Sequence, residues 1–166
     1  MPHKHATVYE NYIRSMLTEP SLNLGSGKFR IGDVNVDMDK NEKPDLLCNI
    51  EIFPYPFKNN SFGSIVLHHS LEHLKNPDLV IKECKRLLRP NGKIVIVVPS
   101  KKNENYRMRG HKVFFTKKTL RGLVVTNFKN VRCFGYRGDT RNISPLFGRV
   151  IGAFAPNQYI CTGEMK

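Results

Sequence analysis

Apolar positions recur along this chain at two periods. Over residues 6–18, Tyr9, Ile13, Met16 and Leu17 fall at i, i+4, i+7 and i+8, the stripe of an amphipathic helix, which must stop before Pro20. Short apolar runs then predict strands: Leu22 to Leu24, Val34-Asn35-Val36, residues 46–50 and residues 64–67. Asn76-Pro77-Asp78 supplies an N-cap, a first-turn proline and a first-turn acid. The helix it opens places Val80, Cys84, Leu87 and Leu88 on one face and ends at Pro90-Asn91-Gly92. Residues 93–99 form a nearly unbroken Ile/Val run, the mark of a strand covered on both faces of a parallel sheet. Thr116 caps a further helix with Leu120, Leu123 and Val124 inward, and residues 131–136 and 158–164 read as two last strands. The connection between those strands, residues 137–157, holds apolar residues interrupted by Gly and Pro; its length suggests a lid or binding loop, or a subunit contact.

Strands alternating with helices, without internal repeats, predict an open α/β sheet. In such sheets a ligand lies outside the carboxyl ends of the strands. Those ends, Gly25, Asp37, Asn49, His68 and Pro99, are expected to face one crevice. The segment Phe53-Pro54-Tyr55-Pro56-Phe57 is barred by its prolines from continuing a ladder, leaving a rigid aromatic turn that either packs on a flat ligand or plugs the sheet edge.

The 166 residues are enough for one domain with a substantial core. No apolar run approaches the roughly 18 residues of a membrane span, and no charged-then-apolar leader opens the sequence, so the expected location is the cytoplasm. Cys48, Cys84, Cys133 and Cys161 are scattered, with no C-x-x-C pair; each sits in a predicted strand or helix, away from the crevice, which argues for buried reduced thiols rather than disulfides or zinc. His3 and His5 belong to a polar, frayed start. The net charge of +13 is unevenly distributed: residues 1–81 hold 8 Lys/Arg against 10 Asp/Glu, whereas residues 82–149 hold 18 against 3. A half-domain of one sign attracts anions, although a merely solubilising surface has the same composition.

The chemistry gathers in residues 21–39, SLNLGSGKFRIGDVNVDMD. A strand breaking at Gly25-Ser26-Gly27 lets backbone approach a ligand closely, and Asp37, closing the next strand, is suited to accept from two ribose hydroxyls. The dinucleotide fingerprint G-x-G-x-x-G is absent, only 12 positions separate Gly25 from Asp37, and no P-loop follows. What these residues suit is a cofactor held by its nucleoside without a pyrophosphate, as S-adenosylmethionine would be.

With LNLGSG, NVDMD, CNIEIFPYPFKNNSFGSIVLHHSLEHL and RLLRPNGKIVIVVP in this order, the chain resembles class I S-adenosylmethionine-dependent methyltransferases of the compact type 11 branch. The resemblance implies a Rossmann-like, mostly parallel sheet with helices on both faces and an antiparallel last strand. It implies one domain over 1–166, with an N-terminal helix in 1–20, a cofactor-binding core in 21–99 and substrate-side loops in 100–166. It further implies that Gly25, Ser26 and Gly27 pass under the methionine moiety, Asp37 holds the ribose, Met38 packs on adenine, Asn49 and Ile50 address its edge, and the His68 carbonyl receives the amino group. The chain departs from the pattern at Asn23 and Asn49, where acids are usual, at Lys28, near a third glycine, and at Gly63, after Phe62, where Asp is usual.

His69, one residue past the fourth strand, is the candidate general base; the same position suits a histidine hydrogen-bonded at a strand end. His73 reads as structural and His111 as a further candidate. No N-P-P-Y-like run and no Pro-Cys pair is present. The basic loop with Lys101, Lys102, Arg107, Arg109 and Lys112 around Tyr106 suits a phosphate backbone and a stacked base. An anionic acceptor is therefore expected, RNA first and a phosphorylated or lipid-linked sugar second. The alternative is a nucleic-acid-binding module that keeps the fold without the reaction.

Overall fold

The computed structural model describes residues 7–100, 110–137 and 144–166. Along the chain lie α1 (Val8–Arg14), β1 (Ser21–Leu24), β2 (Val34–Asp37), β3 (Leu46–Leu47), β4 (Phe62–His68), α2 (Pro77–Leu87), β5 (Leu88–Pro99), α3 (Lys117–Val125), β6 (Phe128–Tyr136), α4 (Pro145–Phe154) and β7 (Gln158–Met165), with 3-10 turns at Lys40–Glu42 and Leu71–His73. The strands form one sheet in the order β3-β2-β1-β4-β5-β7-β6. Every pairing from β3 to β5 is parallel, and β7 runs antiparallel to both β5 and β6. The expected open α/β sheet with an antiparallel last strand is the architecture found.

Two cores flank the sheet, because side chains alternate faces along a strand. Ile94, Ile96 and Val98 of β5 join Leu22, Leu24, Ile65 and Leu67 under α2 and α3. Val95 and Val97 point the other way, to Tyr9 and Ile13 of α1 and to Tyr136 and Ile160. Thr7 opens α1 with a capping box, its Oγ accepting from Glu10 N–H at 3.2 Å while Glu10 Oε2 accepts from Thr7 N–H at 2.6 Å.

Several boundaries differ from the sequence reading. Asn76 stands at the N-cap of α2 but makes no side-chain cap bond. The helix ends at Leu87, not at Pro90-Asn91-Gly92, since Leu88 is already extended and pairs with Phe62; the next paired residues are Ser64 and Lys93, so the Pro-Asn-Gly turn is a bulge within β5. β3 is only two residues long. Asn49 turns the chain out of the ladder, its Oδ1 accepting from Glu51 N–H at 2.9 Å, while Ile52 N–H reaches Asn49 O at 3.0 Å. Tyr55 of the aromatic turn is buried in the core, its hydroxyl donating to Ile50 O at 2.7 Å, so this turn plugs the fold.

The connection before β7 is not a plain loop: its described part contains α4, started by Ser144, whose Oγ accepts from Phe147 N–H at 3.3 Å, and by Pro145. The helix lies against β6 through glycine. A Cβ on Gly152 would stand 2.5 Å from Tyr136 Cα, nearer than packed atoms allow. We expect Gly152→Ala to destabilise the protein by about 1–3 kcal/mol as an overpacking change; an unchanged denaturant midpoint would show that α4 packs elsewhere.

Candidate active site

At the carboxyl ends of β1 to β4 lies a cavity of about 490 Å³, within the size range of small-ligand sites. β1 hands the chain to Gly25 at φ +68°, in the left-handed region, and the N–H groups of Gly25 and Ser26 both donate to Val36 O, at 2.9 and 3.0 Å. The Gly25 Hα side faces Ser70, whose Cβ would be 2.6 Å from any Cβ placed there. Ser70 Oγ in turn donates to Leu24 O at 2.9 Å, tying the loop after β4 to the end of β1. At the end of β2, Asp37 Oδ2 accepts from Gly27 N–H at 2.7 Å and Oδ1 from Asp39 N–H at 2.9 Å. Each oxygen keeps a lone pair for a hydroxyl donor.

Gly25, Gly27, Asp37, Met38, Asn49, Ile50 and His69 line the cavity. Met38 is 69% exposed, on the rim. Asn49 Oδ1 already caps Glu51 N–H, leaving one lone pair for a ligand. Ser26 is buried behind the glycines and is not a lining residue. The side chain of His68 is turned away as well: its ring stacks on Phe29 at 3.8 Å and its Nε2 meets the Tyr9 hydroxyl at 3.1 Å, on the α1 side of the sheet. Only its carbonyl remains a candidate for the crevice. Pro99 pairs with Gln158 in the sheet and does not line the cavity either. Asn23 is buried, its Nδ2 donating to Phe29 O at 2.6 Å, so the residue standing where an acid is usual braces the β1 loop.

Burial pushes the His68 pKa well below 6.5, with the neighbouring His69 adding to the effect. The sign follows: a histidine held neutral in the fold but protonated when unfolded contributes stability above its unfolded pKa, lost as pH falls towards the folded value. Stability should therefore decline below about pH 6.5. A His68→Phe variant should flatten that limb in melting curves taken across pH, and an unaltered limb would assign it to other groups.

His69 has φ +51°, an uncommon conformation for a residue with a side chain. Its Nδ1 lies 3.4 Å from Glu72 Oε1 and its Nε2 3.0 Å from Gln158 Oε1. The Nε2 contact is the hydrogen bond, donated by an imidazolium or accepted by the neutral ring from the Gln158 amide rotated to present its NH₂, whereas Glu72 faces Nδ1 at ion-pair distance. A carboxylate on Nδ1 is the arrangement that orients a base, and Nε2 reaches a substrate proton only by exchanging Gln158.

Cys48 was expected inside a strand and away from the crevice; it follows the end of β3 and lines the cavity. Burial pushes its thiol pKa up, so it is a poor nucleophile. Ser70, His73, Leu74, Gly110 and Lys112 complete the wall with Glu51. Glu51 spans the mouth, accepting from Lys75 N–H at 2.6 Å and pairing with Lys112 Nζ at 3.3 Å. Of the basic loop, Lys112 is placed at the cavity, while Lys101, Lys102, Tyr106, Arg107 and Arg109 lie outside the described residues, as do His3 and His5. Glu72 and Gln158 escaped the sequence reading. Glu72 had a signal in L-E-H-L; Gln158 meets His69 across 89 positions of sequence, for which no local pattern exists.

Residues 32–96 match the family described as Methyltransferase domain. The fold is shared with an S-adenosylmethionine-dependent methyltransferase of Thermotoga maritima at a TM-score of 0.73 and 15% identity, over 97% of this chain and 90% of that one. A second, from Archaeoglobus fulgidus, has a TM-score of 0.69 and 15% identity, over 93% and 94%. The chain has the fold of these methyltransferases, and the family match covers its central part. Among curated proteins, the chain is 26% identical to the ubiquinone/menaquinone biosynthesis C-methyltransferase UbiE of Hahella chejuensis, over 60% of this chain and 45% of that protein. It thus spans less than half the length of the curated relatives it matches. No helix among its described residues is long and apolar enough to cross a membrane.

Proposed function

We propose that the chain transfers a methyl group from S-adenosylmethionine to an acceptor entering beside His69. The observation that carries this reading is the joint placement of Gly25, Gly27 and Asp37 around one cavity, with Gly25 packed so closely on Ser70 that no Cβ fits. In this reading Asp37 accepts from the ribose, Met38 and Ile50 flank the adenine, Asn49 Oδ1 and the His68 carbonyl take its edge, and the Gly25–Gly27 backbone passes under the methionine moiety, with Ser26 acting through its main chain. When bound, S-adenosylmethionine supplies a methyl group made electrophilic by a cationic sulfur. The protein's share is alignment and exclusion of water, with His69, oriented by Glu72, accepting a proton from the acceptor. We expect His69→Ala to lower turnover by about 10²–10⁴-fold, the usual size of general base catalysis, while cofactor affinity in calorimetry stays within about twofold. Equal turnover would return His69 to a purely structural role.

An anionic acceptor is part of the proposal. Lys112 stands in the cavity wall, and a second groove carries Lys93, Lys117, Arg121, Lys129, Arg132 and Arg149, with Glu164 the one acid among its described lining residues. RNA is the first class to test and a phosphorylated or lipid-linked sugar the second. Binding through several phosphates falls steeply with salt, whereas a small phosphorylated substrate gives a shallow dependence. The test is methyl transfer and binding with total RNA and with a nucleotide-sugar panel at two salt concentrations. No RNA affinity at low salt removes RNA, and transfer to a neutral small molecule removes both anionic classes. RNA binding without any calorimetric signal for S-adenosylmethionine would instead favour a binding module of this fold.

A further inference from the structure

Beside the cavity, Glu72 belongs to a second cluster, with two histidines that the proposed methyl transfer does not use. Two residues after His69 begins the 3-10 turn Leu71–His73, which carries Glu72 and His73. The Glu72 carbonyl accepts from the N–H groups of Lys112 and Val113, at 2.9 and 3.0 Å, and this docks residues 110–113 onto the turn. The docking brings His111 to His73, with ring centroids 4.7 Å apart and planes at 67°. One ligating atom each from Glu72, His73 and His111 then lie within 4.8 Å of one another.

The carboxylate is the informative member. Glu72 is 1% exposed; its Oε1 faces His69 Nδ1 at 3.4 Å, but its Oε2 is buried without a hydrogen-bond partner. A buried carboxylate oxygen left bare costs free energy of roughly 1–3 kcal/mol or more, and a cation beside it would remove that cost. Two imidazoles and one carboxylate are a ligand set for zinc and its transition-metal neighbours, not for magnesium or calcium, which favour oxygen ligands. Bonds of about 2.0–2.2 Å at tetrahedral angles place ligand atoms roughly 3.3–3.5 Å apart, so the three must close by about an ångström, within reach of side-chain rotation for the two half-buried histidines. His69 would support the site from behind through Glu72 Oε1, as outer hydrogen bonds do for metal-binding carboxylates.

We propose that Glu72, His73 and His111 bind one divalent transition-metal ion, Zn²⁺ in the first instance, in the wall of the cavity. Of the three, His73 lines the cavity together with His69, Gly110 and Lys112, so an ion held by them would lie beside it with a coordination position left over. That position would hold an oxygen of an anionic or hydroxylated ligand. Metal binding itself does not depend on the methyl-transfer reading, and its test has a separate readout.

The protein, stripped with a chelator and dialysed, is titrated with Zn²⁺ by calorimetry and with Co²⁺ by visible absorption, with Mg²⁺ as comparator. The expected result is one Zn²⁺ per chain, a Co²⁺ d–d spectrum of low symmetry, and weakening by at least about tenfold in each of Glu72→Gln and His111→Ala. A double His3→Ala, His5→Ala variant should bind as the parent does. Circular dichroism shows which variants fold; should Glu72→Gln fail, His111→Ala, on the docked segment, still decides. Absence of saturable Zn²⁺ binding, binding abolished by the His3/His5 double variant, or affinity unchanged in His111→Ala would each overturn the site. Loss of methyl transfer with Zn²⁺ binding intact would overturn the functional proposal alone.

Discussion

Asp37→Ala is expected to weaken S-adenosylmethionine binding by about 1–3 kcal/mol, roughly 5- to 150-fold, the cost of removing a charged hydrogen-bond partner. The carboxylate has two duties. It accepts from Gly27 and Asp39 N–H groups, which shapes the β1 loop, and its remaining lone pairs face the cavity edge where ribose hydroxyls are proposed to lie. Asp37→Asn separates the two, since it keeps one accepting oxygen but loses the charge, and should fall between wild type and alanine. Calorimetry on variants whose melting temperature is within a few degrees of wild type provides the check. Unchanged affinity in Asp37→Ala would mean that the cofactor's ribose lies elsewhere.

The second large effect is expected at Gly25. Valine there must adopt φ near +68°, costing about 1–2 kcal/mol in left-handed backbone, and its Cβ must enter a space 2.6 Å from Ser70 Cβ, adding overpacking of about 1–3 kcal/mol. A loss of about 2–5 kcal/mol follows, with abolished cofactor binding, because relieving the clash separates the β1 loop from the loop after β4. Gly27→Ala is the comparator. Its φ is +46° but its Cβ would meet nothing within 4 Å, so it should show the backbone cost alone. Equal melting temperatures for Gly25→Val and Gly27→Ala would show that the approach to Ser70 contributes nothing.

How much of the site was legible depended on how its residues are held. Gly25, Asp37 and Asn49 are strand-end residues, and an α/β sheet sends strand ends to one edge whatever the details of packing. His68 and His69 were equally legible as a strand end, but adjacent residues point to opposite sides of a sheet; which of the two rings met the cavity depended on the left-handed turn at His69 and the Phe29 stack on His68. Cys48 was misplaced because β3 ends two residues into its apolar run, where the Asn49 side chain captures Glu51 N–H in place of the ladder. Helix α4 was missed because Gly148 and Gly152 lower helix propensity, yet those same glycines let the helix backbone approach Gly135 and Tyr136.

By itself, the sequence determined the parallel sheet, the two-faced burial of β5 and the glycine and acid at the ends of β1 and β2. These are local consequences of hydrophobic period, turn chemistry and strand order, and they leave few other folds. The tertiary structure alone decided the groupings made across sequence distance: Gln158 on His69, Ser70 against Gly25, and His111 beside His73 and the bare oxygen of Glu72. The physical reason is common to all three. Each depends on where a connecting segment comes to rest, through backbone bonds such as those from Lys112 and Val113 to Glu72 O, and such contacts are set by the packed sheet, not by any period in the residues that make them.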